Sequence, residues 1–173
     1  MNNMIKKITN IDQHIMDECE NDILLNKQLT NVSPSNMYEI LFDCENFDKI
    51  FNIFLKELKE ETNKNFDVYV KNMWGYIQNE TDNQTINLIR NFKNQIIIPS
   101  EYSFIYSIKS NITSVFIKKE NDIQNIILNK GDMVIFKTSD FIKEESDLQN
   151  RIVLVGSVSE IVGNVQEIKK VII

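Results

Sequence analysis

The sequence predicts a mainly β, α+β fold in which an amphipathic helix precedes an antiparallel sandwich or barrel. Over Glu45–Asn63 the apolar residues recur at helical spacing, with charged residues and asparagine between them. From Asn65 onward the pattern changes to short β-branched and aromatic runs separated by turns, of which Asn129–Asp132 is the clearest. Because no helical pattern lies between these runs, we expect neighbouring strands to pair antiparallel.

The strand runs and the first third of the chain define the predicted organisation. We expect residues 1–44 to form a helical or irregular segment, with a short helix over Asp12–Leu25, that packs on a core formed by residues 45–173. The polar stretch Asn79–Arg90 is predicted to be a long loop or a short extra helix. The clearest strand runs are Ile96–Ile98, Tyr102–Ile108, Thr113–Ile117, Ile123–Leu128, Asp132–Phe136, Arg151–Val155 and Val165–Ile173.

Charge and cysteine content exclude several classes of function. The chain has 19 basic and 25 acidic side chains, a net charge of −6, and two arginines, Arg90 and Arg151. Such a chain does not fit a protein that tracks phosphates, so we expect no nucleic-acid partner. We expect no membrane partner, because no apolar run approaches the roughly 18 residues that span a bilayer, and the first ten residues show no secretory signal. Two cysteines cannot form a disulfide framework or a structural zinc site.

The common catalytic motifs give no clear match. The four glycines never cluster, which excludes a glycine-rich phosphate loop. The single histidine, His14, leaves a pair with Cys19 or Cys44 open on spacing, although ordinary buried thiols are far more common. The adjacent carboxylates Glu144 and Glu145 are predicted to lie on the solvated surface, because neighbouring strand residues face opposite ways and do not form an acid–base dyad.

Five segments of the chain, taken in order, form a pattern that resembles a known family. They are Asn72–Ile77, Ile96–Pro99, Ser103–Ile108, Gly131–Phe136 and Arg151–Leu154. Their order and spacing resemble the 2-oxoglutarate/iron(II) oxygenases, in particular the small prolyl-hydroxylase-like proteins of tailed bacteriophages. The resemblance covers about residues 45–160. It implies a double-stranded β-helix, or jelly roll, preceded by the amphipathic helix.

The resemblance places the family's iron ligands on residues that cannot bind iron. Anchored on Pro99 and Phe136, the three ligand positions fall on isoleucines, namely Ile96, Ile98 and Ile142. Counting from Trp74 would instead place the first two at Asn87 and Ile89. The family's site needs two imidazoles and a carboxylate, which one histidine cannot supply. We therefore expect no cofactor, neither iron nor 2-oxoglutarate, and an apolar plug if the three isoleucines point inward together.

Arg151 and Tyr106 are the remaining candidates for a functional site. In the family an arginine binds the far carboxylate of 2-oxoglutarate, and Arg151 matches its position, while Val153 replaces the serine that usually accompanies it. Tyr106 matches a tyrosine that could line the same pocket, so the two residues could form an anion-binding remnant. Two alternatives stay open: Arg151 pairs with a carboxylate such as Asp140 or Glu144, and Tyr106 is an ordinary core residue.

These observations favour a non-catalytic jelly-roll protein that serves as a structural or interaction module rather than an enzyme. The phage resemblance makes a neck or tail component of a virion the concrete expectation. The expected partners are other structural proteins, in an oligomer or a larger assembly, and the expected location is the virion or the host cytoplasm. The strand-like segment Val165–Ile173 is expected to pair within its own sheet or with a neighbouring subunit.

Two other functions stay open. The chain could be an enzyme that resembles the 2-oxoglutarate-dependent oxygenases, or a binder of a small anion that retains Arg151. A metal-dependent form would need carboxylates such as Asp140 and Glu101 to hold a hard cation. A third interpretation is a small inhibitor or decoy that acts on a host partner, for which the sequence offers no anchor motif.

Overall fold

The computed structural model describes residues 4–30, 37–39, 45–64, 69–78, 101–110, 112–146 and 151–160. The described part holds two helices, α1 (Gln13–Thr30) and α2 (Glu45–Thr62), and nine strands. This confirms the predicted mainly β, α+β class. The strands are β1 (Ile5–Ile8), β2 (Met37–Glu39), β3 (Tyr69–Gln78), β4 (Tyr102–Lys109), β5 (Thr113–Lys119), β6 (Asp122–Leu128), β7 (Met133–Lys137), β8 (Phe141–Ser146) and β9 (Arg151–Glu160).

The strands form two antiparallel sheets. The larger sheet has the order β1-β7-β4-β9-β3-β2, and the smaller sheet has the order β6-β5-β8. Strand β9 pairs along its whole length with β3, from Arg151 opposite Gln78 to Glu160 opposite Tyr69, and pairs with β4 on its other side. Arg151 therefore begins a strand that lies inside the larger sheet, with a neighbour on each edge.

Both faces of the larger sheet are buried. On β4, Phe104 and Tyr106 belong to an apolar cluster shared with the helices, whereas Ile105 belongs to a second cluster shared with the smaller sheet. On β9, Leu154 and Val155 divide in the same way. Because alternate residues of a strand face opposite sides, the odd-numbered residues of β9 and of β4 up to Ser107 face the smaller sheet, and the even-numbered ones face the helices.

The helix α2 covers one face of the larger sheet with an apolar stripe. Its buried residues are Phe47, Ile50, Phe51, Phe54, Leu55 and Leu58. The ring centroid of Phe54 lies 4.9 Å from that of Phe104 on β4. The predicted helix over Glu45–Asn63 is thus confirmed to within one residue, because burial of this stripe requires the helical period.

The helix α1 is longer than the predicted segment Asp12–Leu25. The Asp12 side chain caps its start, since Oδ1 accepts hydrogen bonds from the backbone N–H groups of His14 and Ile15 at 2.8 and 3.4 Å. Met16, Cys19 and Ile23 are buried against the helix-facing side of the sheet. Neither α1 nor α2 combines the length and the apolar character that a membrane crossing requires.

The first 44 residues also contribute two strands that the sequence did not predict. Strand β1 pairs with β7, and strand β2 pairs with β3. With four and three residues they are too short to give a clear alternating pattern. Lys6 of β1 makes ion pairs of 2.7 and 2.9 Å with Glu57 and Glu61 of α2, and these hydrogen bonds raise the pKa of Lys6. The division of the chain at residue 44 stays a prediction.

The predicted turn at Asn129–Asp132 connects β6 in the smaller sheet to β7 in the larger one. Gly131 has a φ of 84°, which glycine adopts without strain. One carboxylate oxygen of Asp132 accepts a hydrogen bond from the Asn129 backbone N–H at 2.9 Å and lies 2.8 Å from the Lys7 ammonium of β1. The turn therefore ties the two sheets together at one end.

Candidate ligand site between the two sheets

Arg151 is the central residue of the candidate site. It is the first residue of β9 and is 3% exposed. Val153 and Val155, on the same face of the strand, pack in the apolar cluster between the two sheets. The Arg151 guanidinium is therefore directed into the space between the sheets, where the low dielectric makes an unbalanced charge costly.

Glu144 on β8 balances this charge. It lies opposite Val115 of β5, which faces the same cluster, and its side chain is 1% exposed. An oxygen of its carboxylate makes an ion pair with an Nη atom of Arg151. Of the two partners named from the sequence, Asp140 and Glu144, the structure shows Glu144. Removal of one member of such a buried pair typically costs about 3–5 kcal/mol.

The buried position of Glu144 corrects one prediction. Glu144 and Glu145 were both expected on the solvated surface, but only Glu145 is exposed, where it makes an ion pair with Lys143. The alternation of strand residues sends one carboxylate to each side of β8. The inward one is Glu144, because Arg151 on the facing strand supplies the opposite charge.

Ser107 adds a third buried polar side chain on the same inner surface. Its backbone pairs with Val153 of β9, and its hydroxyl is fully buried without a hydrogen-bond partner among the described residues. By contrast, Ser103, four residues earlier on the same face of β4, shares a 2.6 Å hydrogen bond with Thr138. The second carboxylate oxygen of Glu144 also lacks a hydrogen-bond partner in the described part of the chain.

These three residues, Arg151, Glu144 and Ser107, form what we call the interior polar cluster. It combines a cation, an anion and a hydroxyl on facing inner surfaces that also carry apolar side chains such as Val115 and Val153 and the buried hydroxyl of Ser103. Buried polar atoms are normally satisfied, so those that are not point to a ligand, a water molecule or a chain segment as the missing partner.

Tyr106 does not belong to this cluster, which corrects the predicted pairing of Arg151 with Tyr106. Tyr106 faces the helices, in the apolar cluster that includes Met16 and Cys19. Its burial raises the pKa of the hydroxyl, and Coulombic repulsion by Cys19 once it is ionised, and by Asp12 and Asp17, acts in the same direction. Arg151 faces the other side of the sheet, so the two side chains cannot line one pocket.

The three predicted ligand positions have different outcomes. Ile96 and Ile98 lie outside the described residues. Ile142 is 37% exposed on β8, so it does not belong to an apolar plug between the sheets. The pairing of β8 with β5 shifts register at this residue, so that Phe141 and Glu144 face the inter-sheet cluster and Ile142 does not. The assignment of Ile96, Ile98 and Ile142 as former ligand positions stays a prediction.

The alternative pairs named from the sequence are not assembled in the described residues. His14 is exposed on α1, 3.5 Å from Glu18, whereas Cys19 is fully buried in the helix-facing core. Cys44 lies outside the described residues. Glu101 makes an ion pair of 2.6 Å with Lys64. Asp140 instead accepts a 3.0 Å hydrogen bond from Ser139.

The described residues do not fit the iron site of the oxygenases. A site of two histidines and one carboxylate needs two imidazoles, and the whole chain has one, on the exposed surface of α1. No group of three His, Cys, Asp or Glu side chains that could hold a metal ion occurs within the described ranges. We therefore assign no step of chemistry to iron.

Comparison with solved structures identifies the fold. A Pseudomonas putida prolyl-4-hydroxylase matches with a TM-score of 0.61 and 7% sequence identity, over 92% of this chain and 94% of that chain. The viral collagen prolyl hydroxylase of Paramecium bursaria Chlorella virus-1, in its complex with 2-oxoglutarate (2OG), matches with a TM-score of 0.57 and 11% identity, over 91% and 96% of the two chains. The chain has the fold of the 2OG-Fe(II) oxygenases.

A third match supports the same fold. An oxidoreductase of the 2OG-Fe(II) oxygenase family from Burkholderia pseudomallei has a TM-score of 0.58 and 9% identity, over 92% of this chain and 85% of that chain. No protein-family profile and no curated protein sequence matches this chain. The resemblance stated from the sequence is thus confirmed for the oxygenase-like fold, while the tailed-phage origin stays an expectation.

These matches correct the expectation that the protein is not an enzyme. That expectation rested on the apolar ligand positions and on the strand-like segment Val165–Ile173. The three solved structures described above, which share the fold over about nine-tenths of this chain, are two hydroxylases and an oxidoreductase, so they do not support that expectation. The sequence signal that could have led to the interior polar cluster is the pair Glu144-Glu145 close before Arg151, because strand alternation sends one carboxylate inward.

Proposed function

We propose that this protein is an enzyme with an oxygenase-like fold that binds a small carboxylate ligand between its two sheets, with Arg151 as the residue that receives the carboxylate. The observation that carries the proposal is the buried guanidinium at the start of β9, directed between the sheets. A guanidinium offers two parallel N–H donors that match the two oxygens of a carboxylate.

The surroundings of Arg151 support a small ligand with both an anionic and a polar group. The inner surface is apolar around Ile105, Val115 and Val153, which excludes water and strengthens a charged contact. The Ser107 hydroxyl can donate or accept one further hydrogen bond. The first ligand to test is 2-oxoglutarate, because one protein of the same fold has been solved in complex with it.

The residues of this chain bind and orient the ligand in this proposal. Arg151 fixes the carboxylate, Ser107 offers a polar contact, and the apolar walls keep water out. Because the single histidine cannot complete an iron site, we propose no reaction step that depends on a metal. A role in a virion remains an expectation from the resemblance, with no observation in the structure for or against it.

The proposal is tested by ligand-induced stabilisation. Thermal unfolding is followed with 2-oxoglutarate, succinate and phosphate for the wild type and for the double variant Arg151→Met with Glu144→Gln, which removes both buried charges together. At 100 times its dissociation constant, a bound ligand raises the free energy of unfolding by about 2.7 kcal/mol. We expect a carboxylate to stabilise the wild type and not the double variant.

The matched control is Lys109→Met, which removes an exposed cation that pairs with Glu20 at 3.1 Å. It is expected to respond to the ligand like the wild type. The proposal fails if no carboxylate stabilises either the wild type or a variant that lacks the Glu144 charge, or if the double variant responds as strongly as the wild type.

A further inference from the structure

We propose that Glu144 is an internal competitor for the carboxylate site, so that a ligand binds Arg151 only by displacing the side chain of Glu144. This inference rests on the proposed function and adds what controls the affinity of the site. The observation behind it is the ion pair between the two buried side chains, which occupies an Nη atom of the guanidinium.

The chemistry of Glu144 is that of the ligand itself. Its side chain ends in a carboxylate on a short, flexible chain, and this carboxylate reaches Arg151 from the facing sheet. Rotation about the side-chain bonds of Glu144 moves its carboxylate away without a change in β8. A ligand carboxylate then takes the same contact with the guanidinium, so that this buried positive charge again has an anionic partner, and the displaced Glu144 carboxylate takes up a proton or reaches solvent.

Among the residues that the structure describes, the pair is incompletely satisfied, which distinguishes it from a purely structural ion pair. A buried pair stabilises a fold only when its remaining polar atoms are hydrogen-bonded as well. Here the second carboxylate oxygen of Glu144 has no hydrogen-bond partner among the residues that the structure describes. Replacement of Glu144 by a ligand therefore breaks fewer favourable contacts than replacement of a fully bonded carboxylate.

The competition also selects among ligands. A monocarboxylate forms one ion pair with Arg151, and the protein loses the ion pair between Arg151 and Glu144. The net change in free energy is therefore small. A ligand with a second polar group gains an additional contact, for which the Ser107 hydroxyl on the same inner surface is available, since it has no hydrogen-bond partner in the described part of the chain. The site therefore favours small molecules that carry a carboxylate together with another hydrogen-bonding group, such as a dicarboxylate or an oxo acid.

The test compares the wild type with Glu144→Gln and Glu144→Ala. Glu144→Gln keeps the size of the side chain, and Glu144→Ala leaves a space of carboxylate size beside Arg151. Glu145→Ala is the matched control, since it removes the exposed neighbouring carboxylate that pairs with Lys143. Binding of 2-oxoglutarate is measured by titration calorimetry, and thermal unfolding is measured with and without acetate.

We expect 2-oxoglutarate to bind both Glu144 variants at least tenfold more tightly than it binds the wild type and Glu145→Ala. Acetate should raise the melting temperature of Glu144→Ala and leave that of the wild type unchanged. The inference is wrong if 2-oxoglutarate binds the wild type as tightly as the Glu144 variants, and in that case the proposed function stands. If neither the wild type nor any variant binds a carboxylate, the proposed function itself is wrong.

Discussion

At the scale of single residues, two buried polar side chains differ in whether they have a polar partner. Arg151 and Tyr106 both lie in buried strands, but Arg151 has an ion-pair partner and Tyr106 has a hydroxyl without a hydrogen-bond partner in the described residues. A buried hydroxyl of this kind reduces stability by roughly 1–3 kcal/mol relative to a satisfied one. Tyr106 is therefore a core residue whose hydroxyl reduces stability, and Arg151 belongs to the candidate ligand site.

This difference predicts the effect of Tyr106→Phe. Removal of the unpartnered hydroxyl should raise the free energy of unfolding by about 1 kcal/mol and leave carboxylate binding unchanged. The control is Tyr102→Phe, because Tyr102 lies beside Lys64 and should gain no stability. Urea unfolding and ligand titration measure both effects. Weaker ligand binding by Tyr106→Phe would show that Tyr106 contributes to the ligand site and would contradict our assignment.

At the scale of elements, β9 connects the site to the helix-facing core. One end of the strand carries Arg151, and its middle carries Gly156, which lies against the ring of Phe104 on β4. That ring in turn packs on Phe51 and Phe54 of α2. Glycine at this position lets the ring lie flat against the β9 backbone, so that α2 can approach the sheet closely.

Substitution of this glycine tests the close approach. A Cβ atom at residue 156 would overlap two ring atoms of Phe104, so Gly156→Ala should lower the free energy of unfolding by about 1–3 kcal/mol. Gly75→Ala is the control, because the atoms nearest to its Cβ would belong to the flexible Ile23 side chain, at 3.0 Å, and a smaller loss is expected. Equal stability of Gly156→Ala and the wild type would show that the ring does not require the glycine.

At the scale of the whole molecule, the sequence predicts the class of the fold better than the site. The helical period of α2 and the short alternating runs are sufficient for a mainly β fold, because each follows from burial of one face. The faces of β4 could not be assigned in this way. Seven of its eight residues are buried, so neither face of the strand is turned to solvent in a way that would mark its orientation. The predicted pairing of Tyr106 with Arg151 failed for this reason.

The sequence alone does not determine that Glu144, rather than its neighbour, pairs with Arg151. Strand alternation states that Glu144 and Glu145 face opposite ways, and it does not state which one faces inward. That choice depends on the facing strand β9, whose distance from β8 is set by the packing of the two sheets. The proposed role of this pair in carboxylate binding rests on its burial and its charges.

The most direct test of the central claim is a crystal structure of the protein with saturating 2-oxoglutarate. Our account predicts a ligand carboxylate within hydrogen-bonding distance of the Arg151 guanidinium, between the two sheets, with the Glu144 side chain moved away. A ligand bound elsewhere, with the Arg151–Glu144 ion pair intact, would contradict it.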